Sequence, residues 1–129
     1  MGISFTIHPN GEYVLIKSQG DRKNAKELME GTEMLYQNIQ ESGAKFVLVD
    51  YSEVNFNIKL PDVFNIVRFY DRKLPEIKDI TLATIIKQET MELGNYWEKV
   101  SSKKSYNFKV FTDHKKARNW IKQEVAKNK

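Results

Sequence analysis

The chain begins with two short segments in which apolar and polar residues alternate. The first is ISFTIH over residues 3–8, and the second is EYVLIKS over residues 12–18. A period of two predicts β-strands with one buried face. Asn10 and Gly11 lie between the segments. Both residue types tolerate positive φ, so the pattern predicts an N-terminal β-hairpin.

The next pattern has the period of an α-helix. Apolar positions recur every three or four residues from Ala25 to Ile39 and form one stripe. Asn24 is a suitable N-cap, with Glu27 three residues later as in a capping box. Gly43 can end the helix, because glycine readily adopts the left-handed conformation that helix ends require.

Apolar runs and helical patterns then alternate to the end of the chain. KFVLVD, DITLATIIK and FKVFTD predict three strands. Pro61 suits the first helical position of a helix that ends by about Lys73, because Pro75 follows. Phe64 belongs to the apolar positions of this helix and is expected in the core. A weaker helix is predicted over residues 92–106, and a last helix follows its cap at Asp113.

The order β-β-α-β-α-β-α-β-α predicts an α/β fold over residues 1–129 as a single domain. It has an N-terminal hairpin followed by alternating elements, in a mixed five-stranded sheet with helices packed on it. The third, fourth and fifth strands are expected to form the parallel centre, and the hairpin is expected to supply an antiparallel edge.

Composition places the chain among soluble globular proteins. Hydrophobic residues make up 40% and charged residues 29% of the 129 positions. There is no cysteine, which excludes disulfides, thiolate metal sites and a cysteine nucleophile. MGISFT lacks the pattern of a signal peptide, so a cytoplasmic protein is expected. The same residues match a myristoylation pattern through Gly2 and Thr6, but an edge strand also accounts for them.

The formal charge is +4, and much of it lies after His114. A basic segment of this kind could contact nucleic acid or an anionic membrane. A solvated helix face with a fraying basic end is the preferred interpretation, because the net charge is modest. The sequence therefore predicts no nucleic-acid partner and no membrane insertion.

Polar residues follow the predicted parallel strands, where chemistry and recognition usually occur in α/β proteins. A catalytic interpretation makes His114 a base oriented by Asp113 or Asp50, with Ser52 or Tyr51 as its partner. Asp113 also has a sufficient role as a helix cap. His8 and His114 have no metal-ligand spacing, and no glycine-rich phosphate loop occurs, so neither a metal nor a cofactor is predicted.

VLVDYSEVNFN resembles the strand and recognition loop of the STAS domain family. The resemblance is to its SpoIIAA-like branch, named for the sporulation anti-sigma-factor antagonist. Asp50, Ser52, Val54 and Phe56 occupy the matching positions. NFKVFTDHKKARNWI resembles the closing strand and helix of that family. The resemblance covers nearly the whole chain, and a related branch is grouped with the CRAL-TRIO lipid-binding fold.

This resemblance implies a non-enzymatic, bacterial regulatory module that binds a protein partner. Phosphoswitch members carry an acceptor serine in a turn at the start of the second helix. Here the corresponding residues are 57–61, NIKLP, without a hydroxyl group. The chain departs from the family at this turn, so no phosphoserine switch is expected.

Three hypotheses follow from the sequence. The first is a protein-binding module whose contact residues lie in the 50–62 loop and the second helix, with a homodimer as one arrangement. The second is a carrier of a small molecule or lipid, which would use a pocket between the sheet and the helices. The third is a hydrolase or transferase using Asp50, Ser52 and His114. Phe56 either anchors its own loop or offers an exposed apolar contact. The predicted binding residues are Asp50, Tyr51, Ser52, Asn55, Phe56, Asn57, Lys59 and Arg68.

Overall fold

A computed structural model of the chain describes residues 2–128. Within this range, an opening hairpin of two strands is followed by four α-helices that alternate with three further strands. The strands are β1 (Ser4–Asn10), β2 (Tyr13–Gln19), β3 (Phe46–Asp50), β4 (Thr81–Ile85) and β5 (Asn107–Phe111). The helices are α1 (Ala25–Ser42), α2 (Leu60–Lys73), α3 (Met91–Lys103) and α4 (His114–Lys127). Short 3-10 helices at Pro75–Asp79 and Gln88–Thr90 flank β4.

The predicted mixed five-stranded sheet is confirmed, with strands in the order β1-β2-β3-β4-β5. Only β1 runs antiparallel to its neighbour, whereas β2 to β5 are parallel to one another. The expectation of three parallel strands was therefore one strand short. β2 joins the parallel set because α1 is a crossover connection, which returns the chain parallel to the strand it left.

The turn of the hairpin lies one residue later than predicted. Asn10 is the last residue of β1 and pairs with Tyr13, so Gly11 and Glu12 form the two-residue loop. Of the two residues expected to take positive φ, only Gly11 does so, at 70°.

Two apolar cores cover the two faces of the sheet. Helices α1, α2 and α3 cover one face, where Ile16, Val47 and Val49 are buried. Helix α4 covers the other face, where Leu48 and Ala83 pack with Ile121. All three crossover helices share one face because the strands follow one another in sequence and the crossovers are right-handed.

Local signals at the helix ends act as predicted. The Asn24 side chain accepts from the Glu27 amide, and Gly43 takes φ of 71° after α1. The Glu27 carboxylate reaches the Lys23 amide, one residue before the position of a regular capping box. The weaker helix is shorter than predicted and ends at Lys103.

Candidate functional site

The carboxyl ends of β2, β3, β4 and β5 meet at one rim of the sheet, because these strands are parallel. The segment that leaves β3 at this rim, residues 51–59, is called the rim loop below. The first residue of α4, His114, lies at the same rim, and so does Lys87 after β4.

The rim loop is fixed by the segment between β2 and α1. The Arg22 amide donates to the Asn55 carbonyl at 2.9 Å, and the Asn57 amide donates to the Arg22 carbonyl at 2.8 Å. The Asp21 carboxylate accepts from the Asn55 amide at 3.1 Å. Lys87 Nζ donates to the Asn55 side chain from the β4 side. These contacts give the loop a defined path although it has no regular secondary structure.

The guanidinium of Arg22 is buried beneath the rim loop. The residue is 1% exposed, and its side chain donates to Ser18 Oγ and to the Gly20 carbonyl. It also lies over the rings of Phe5 and Tyr51, with centroid distances of 5.7 and 5.6 Å. Burial lowers the pKa of Arg22, and the neighbouring Tyr51 acts in the opposite direction. Within residues 2–128, Arg22 has no carboxylate in ion-pair contact.

Asp50 and His114 lie together, as the catalytic interpretation requires. His114 Nε2 is 2.9 Å from Asp50 Oδ2, and the other carboxylate oxygen accepts from the Ser52 amide at 2.8 Å. The Asp50 side chain is 7% exposed, whereas that of His114 is 48% exposed. In the described part of the chain, the Ser52 hydroxyl makes no hydrogen bond to His114. Asp50 therefore orients the His114 imidazole, but Ser52 is not placed as a nucleophile hydrogen-bonded to it.

Tyr51 lies on the opposite face of the sheet from Asp50, because successive residues of an extended segment point to opposite sides. Its ring packs edge-to-face on Phe56, with centroids 5.5 Å apart. Burial raises the pKa of the Tyr51 hydroxyl, and Arg22 offsets part of this effect. Phe56 is half-buried, so the structure favours its role as an anchor of its own loop.

The start of α2 is already occupied by an anionic group. The Asp62 carboxylate accepts from the Lys59 amide at 2.9 Å, across the first turn of the helix. Phosphate bound at a helix N-terminus gains from free amides and from the helix dipole. Here the Asp62 carboxylate already occupies one of these amides.

The exposed face of α2 carries Phe64 and Arg68, one turn apart. Phe64 is 43% exposed, so its expected place in the core is wrong. The buried stripe of α2 consists of Val63, Ile66, Val67 and Tyr70. Phe64 lies about 100° from Val63 around the helix, which turns it toward solvent.

An apolar cavity of about 100 Å³ lies between the sheet and helices α1, α2 and α3. Tyr51 and Phe56 of the rim loop are among the residues that line this inner cavity. None of the described lining residues is charged. A shallow outer groove on the surface runs between Lys59, Glu89 and Glu92. Ile58 and Leu93 line both, so they separate the inner cavity from the outer groove.

The structure brings most of the predicted binding residues into one region. Asp50 ends β3, and Tyr51, Ser52, Asn55, Phe56, Asn57 and Lys59 follow it in the rim loop. Arg68 lies about 12 Å along α2 from Leu60, the first residue of the helix, at a rise of about 1.5 Å per residue. They divide between two faces, since Asp50 contacts α4 whereas Tyr51 and Phe56 face the inner cavity.

Sequence reasoning missed the contribution of β2 and the segment after it. Lys17 pairs with Glu53 at 3.2 Å, and Asp21 and Arg22 hold the rim loop. Had β2 been recognised as parallel, its end would have been expected at this rim. No sequence signal identifies Arg22 as buried, because arginine is rarely fully buried.

Across residues 2–128, no cluster of three potential metal ligands occurs. Each α-helix in that range is too short or too polar to span a membrane.

Two solved structures have the same fold as this chain. One is an uncharacterized protein of the DUF3478 family, with a SpoIIAA-like fold, from Shewanella loihica PV-4. It matches with a TM-score of 0.56 and 20% identity over 93% of each chain. The other is an anti-sigma factor antagonist from Mycobacterium paratuberculosis, with a TM-score of 0.63 and 11% identity over 94% of this chain and 95% of that one. No family model matches the sequence, and the curated proteins contain no match to it.

Proposed function

From the SpoIIAA-like fold of this chain, we propose that it is a non-enzymatic regulatory module that binds a protein partner. The proposed contact surface, called the rim surface below, consists of the exposed residues Asn57, Lys59, Phe64 and Arg68. An anti-sigma factor antagonist shares the fold, although at 11% identity this likeness concerns the fold alone.

The observation that supports the proposal best is the exposure of Phe64 beside Arg68. Phe64 and Met34 are the large apolar side chains that stand exposed among the described residues. Aromatic residues and arginine are enriched at protein interfaces, and exposed apolar side chains flanked by polar ones are typical of binding surfaces. The rim loop next to α2 has a defined conformation, so little entropy would be lost when a partner binds.

Affinity capture from a lysate of the source organism tests this proposal. Lys59→Glu and Arg68→Glu reverse two charges of the rim surface without altering the core. Lys122→Glu is the matched control, because Lys122 is exposed on α4, on the other face of the sheet. We expect a protein captured by the wild type and by the control to be lost with the double variant. Equal capture by all three proteins would contradict the proposal.

Phe56 is unsuitable for this test, because it packs on Tyr51 and lines the inner cavity. Its replacement would disturb the loop whether or not a partner binds there. Charge reversal at Lys59 and Arg68 avoids this ambiguity.

The proposal extends to phosphorylation. We expect Ser52 to carry no phosphate in protein isolated from its native cells, because it lies outside the acceptor turn and beside the Asp50 carboxylate. Mass spectrometry of the native protein checks this expectation, and phosphate on Ser52 would contradict it.

The hydrolase or transferase alternative keeps one specific observation, the contact between Asp50 and His114. It predicts that His114→Ala abolishes turnover of a phosphate ester or carboxylic ester by the purified protein. The binding module predicts no turnover by either protein.

A further inference from the structure

The inner cavity contains a buried hydroxyl group without a hydrogen-bond partner. Thr84 is 6% exposed and lies on β4, where its side chain faces the cavity. Its Oγ1 atom has no partner among the described residues. A buried polar group without a partner destabilises the folded state, and such groups are rare in native proteins. The position of Thr84 therefore needs an explanation.

Tyr70 supplies a second available donor on the wall of the same cavity. Its hydroxyl oxygen accepts from Trp97 Nε1 at 2.9 Å. Within the described residues, nothing accepts the proton of that hydroxyl. Thr84 and Tyr70 can thus both donate to a bound group that accepts hydrogen bonds.

Three other hydroxyl groups of the cavity wall already interact with protein groups. Thr32 donates to the Leu28 carbonyl, and Tyr36 donates to the Glu76 carboxylate. The Tyr51 hydroxyl faces the Arg22 guanidinium. Thr90 also lines the cavity, but its side chain is partly exposed to solvent. Apart from Gly94, the remaining lining is aliphatic or aromatic and offers a ligand contact area rather than polar partners.

The size and charge of the cavity limit the ligand. An apolar cavity of roughly 150 Å³ holds benzene, so about 100 Å³ suits a body of some four to six carbons. None of the described residues that line the cavity is charged, so an ionised ligand would lose its hydration without compensation. The partly exposed side chains of Ile58 and Leu93 lie between the cavity and the outer groove, which provides a route of entry.

We propose that the inner cavity binds a small, uncharged, mainly apolar molecule with one hydrogen-bond acceptor, such as a ketone, to which Thr84 donates. This binding site is separate from the rim surface and does not depend on a protein partner. Phe56 and Ile58 of the rim loop line the cavity, so the loop amides report on its occupancy.

Three ring compounds of similar size test the proposal by NMR titration of the isotope-labelled protein. Cyclopentanone offers an acceptor, methylenecyclopentane has the same shape without one, and cyclopentylamine is charged. We expect cyclopentanone to shift the amides of Ile58, Thr84 and Leu93. We expect methylenecyclopentane to bind roughly three- to tenfold more weakly, the difference that one net hydrogen bond makes. Cyclopentylamine should not enter the cavity.

Two variants separate a hydrogen bond in the cavity from a general change in stability. Thr84→Val removes the hydroxyl at nearly constant volume and should weaken cyclopentanone binding roughly three- to tenfold or more, because the ketone loses a hydrogen bond, while methylenecyclopentane should bind as to the wild type. Ser101→Ala is the matched control, because Ser101 Oγ is also buried without a partner but does not line the cavity. This control should bind cyclopentanone as the wild type does.

A third variant tests the location independently. A Cβ atom on Gly94 would overlap Ile86 Cδ1, and both residues line the cavity. Gly94→Ala should therefore weaken binding of cyclopentanone and methylenecyclopentane alike. The proposal is overturned if cyclopentanone shifts no cavity amide, or if Thr84→Val binds cyclopentanone as tightly as the wild type.

Discussion

Arg22 shows how one residue shapes both the rim loop and the interior. Its backbone pairs with Asn55 and Asn57, and its guanidinium fills space beneath the loop. The close approach of α1 is possible because residue 31 is glycine. A Cβ atom there would lie 2.6 Å from Arg22 Nε and 3.0 Å from Cζ.

Gly31→Ala should therefore destabilise the fold although alanine favours helices. Contacts with Ser18, Gly20 and the two flanking rings hold the guanidinium in place, so it cannot move aside freely. Overpacking typically costs about 1–3 kcal/mol, against about 1 kcal/mol gained in helix propensity. Urea unfolding measures the net change in the free energy of unfolding.

A double-mutant cycle identifies the cause of that change. In an Arg22→Ala background the clash is absent, so Gly31→Ala should become neutral or stabilising. An equal loss of stability in both backgrounds would show that Arg22 is not the obstacle.

Tyr36 connects α1 to the segment before β4. Its hydroxyl donates to Glu76 Oε2 at 2.7 Å and accepts from Gln40 Nε2 at 2.9 Å. Burial, together with the hydrogen bond to the Glu76 carboxylate, raises the pKa of Tyr36 to about 12. In an unfolded chain the tyrosine pKa is about 10.

The free energy of unfolding should therefore fall as the pH rises from about 10 to about 12. The neutral hydroxyl is favoured in the folded state, so its contribution is complete below the unfolded pKa and is lost above the folded one. Tyr36→Phe should reduce the slope of this fall by at most about 1.4 kcal/mol per pH unit. Urea unfolding at several alkaline pH values measures this slope. An equal slope for the wild type and Tyr36→Phe would contradict a raised pKa at Tyr36.

At the scale of elements, local signals in the sequence predicted most of the architecture. Asn24 and Gly43 placed the ends of α1, because capping depends on neighbouring residues. The parallel direction of β2 was missed, because strand direction is set by pairing with a distant segment. Phe64 was placed in the core for a related reason, since its apolar character does not reveal which side of α2 faces the sheet.

The rim loop makes its own prediction, because a tertiary contact rather than regular structure fixes it. Asp21→Ala removes the carboxylate that accepts from the Asn55 amide. We expect faster hydrogen exchange at Asn55 and nearby loop amides with little change in global stability, because Asp21 is exposed. Asp79→Ala, which removes an exposed carboxylate from the 3-10 helix before β4 at the opposite end of the sheet, is the control that should leave the loop amides unchanged.

For the whole molecule, the fold was predictable from the sequence, whereas a pocket between the sheet and the helices was only a requirement of the carrier hypothesis, without lining residues or size. The order of strands and helices, with VLVDYSEVNFN, led to the SpoIIAA-like fold that the two solved structures share. A cavity depends on how side chains from β4, α2 and α3 fail to fill a common space, which no periodic pattern encodes. The homodimer stays a prediction from the exposed edge strand and α2.

The central claim is that the rim surface contacts a protein partner in the cell. Replacing Phe64 by a photoreactive phenylalanine analogue, followed by irradiation of living cells, tests it directly. The account predicts a covalent adduct of this chain with a specific protein, and no such adduct when the same analogue replaces Arg118 on the exposed face of α4. An absence of any adduct at position 64, or the same adduct at position 118, would contradict it.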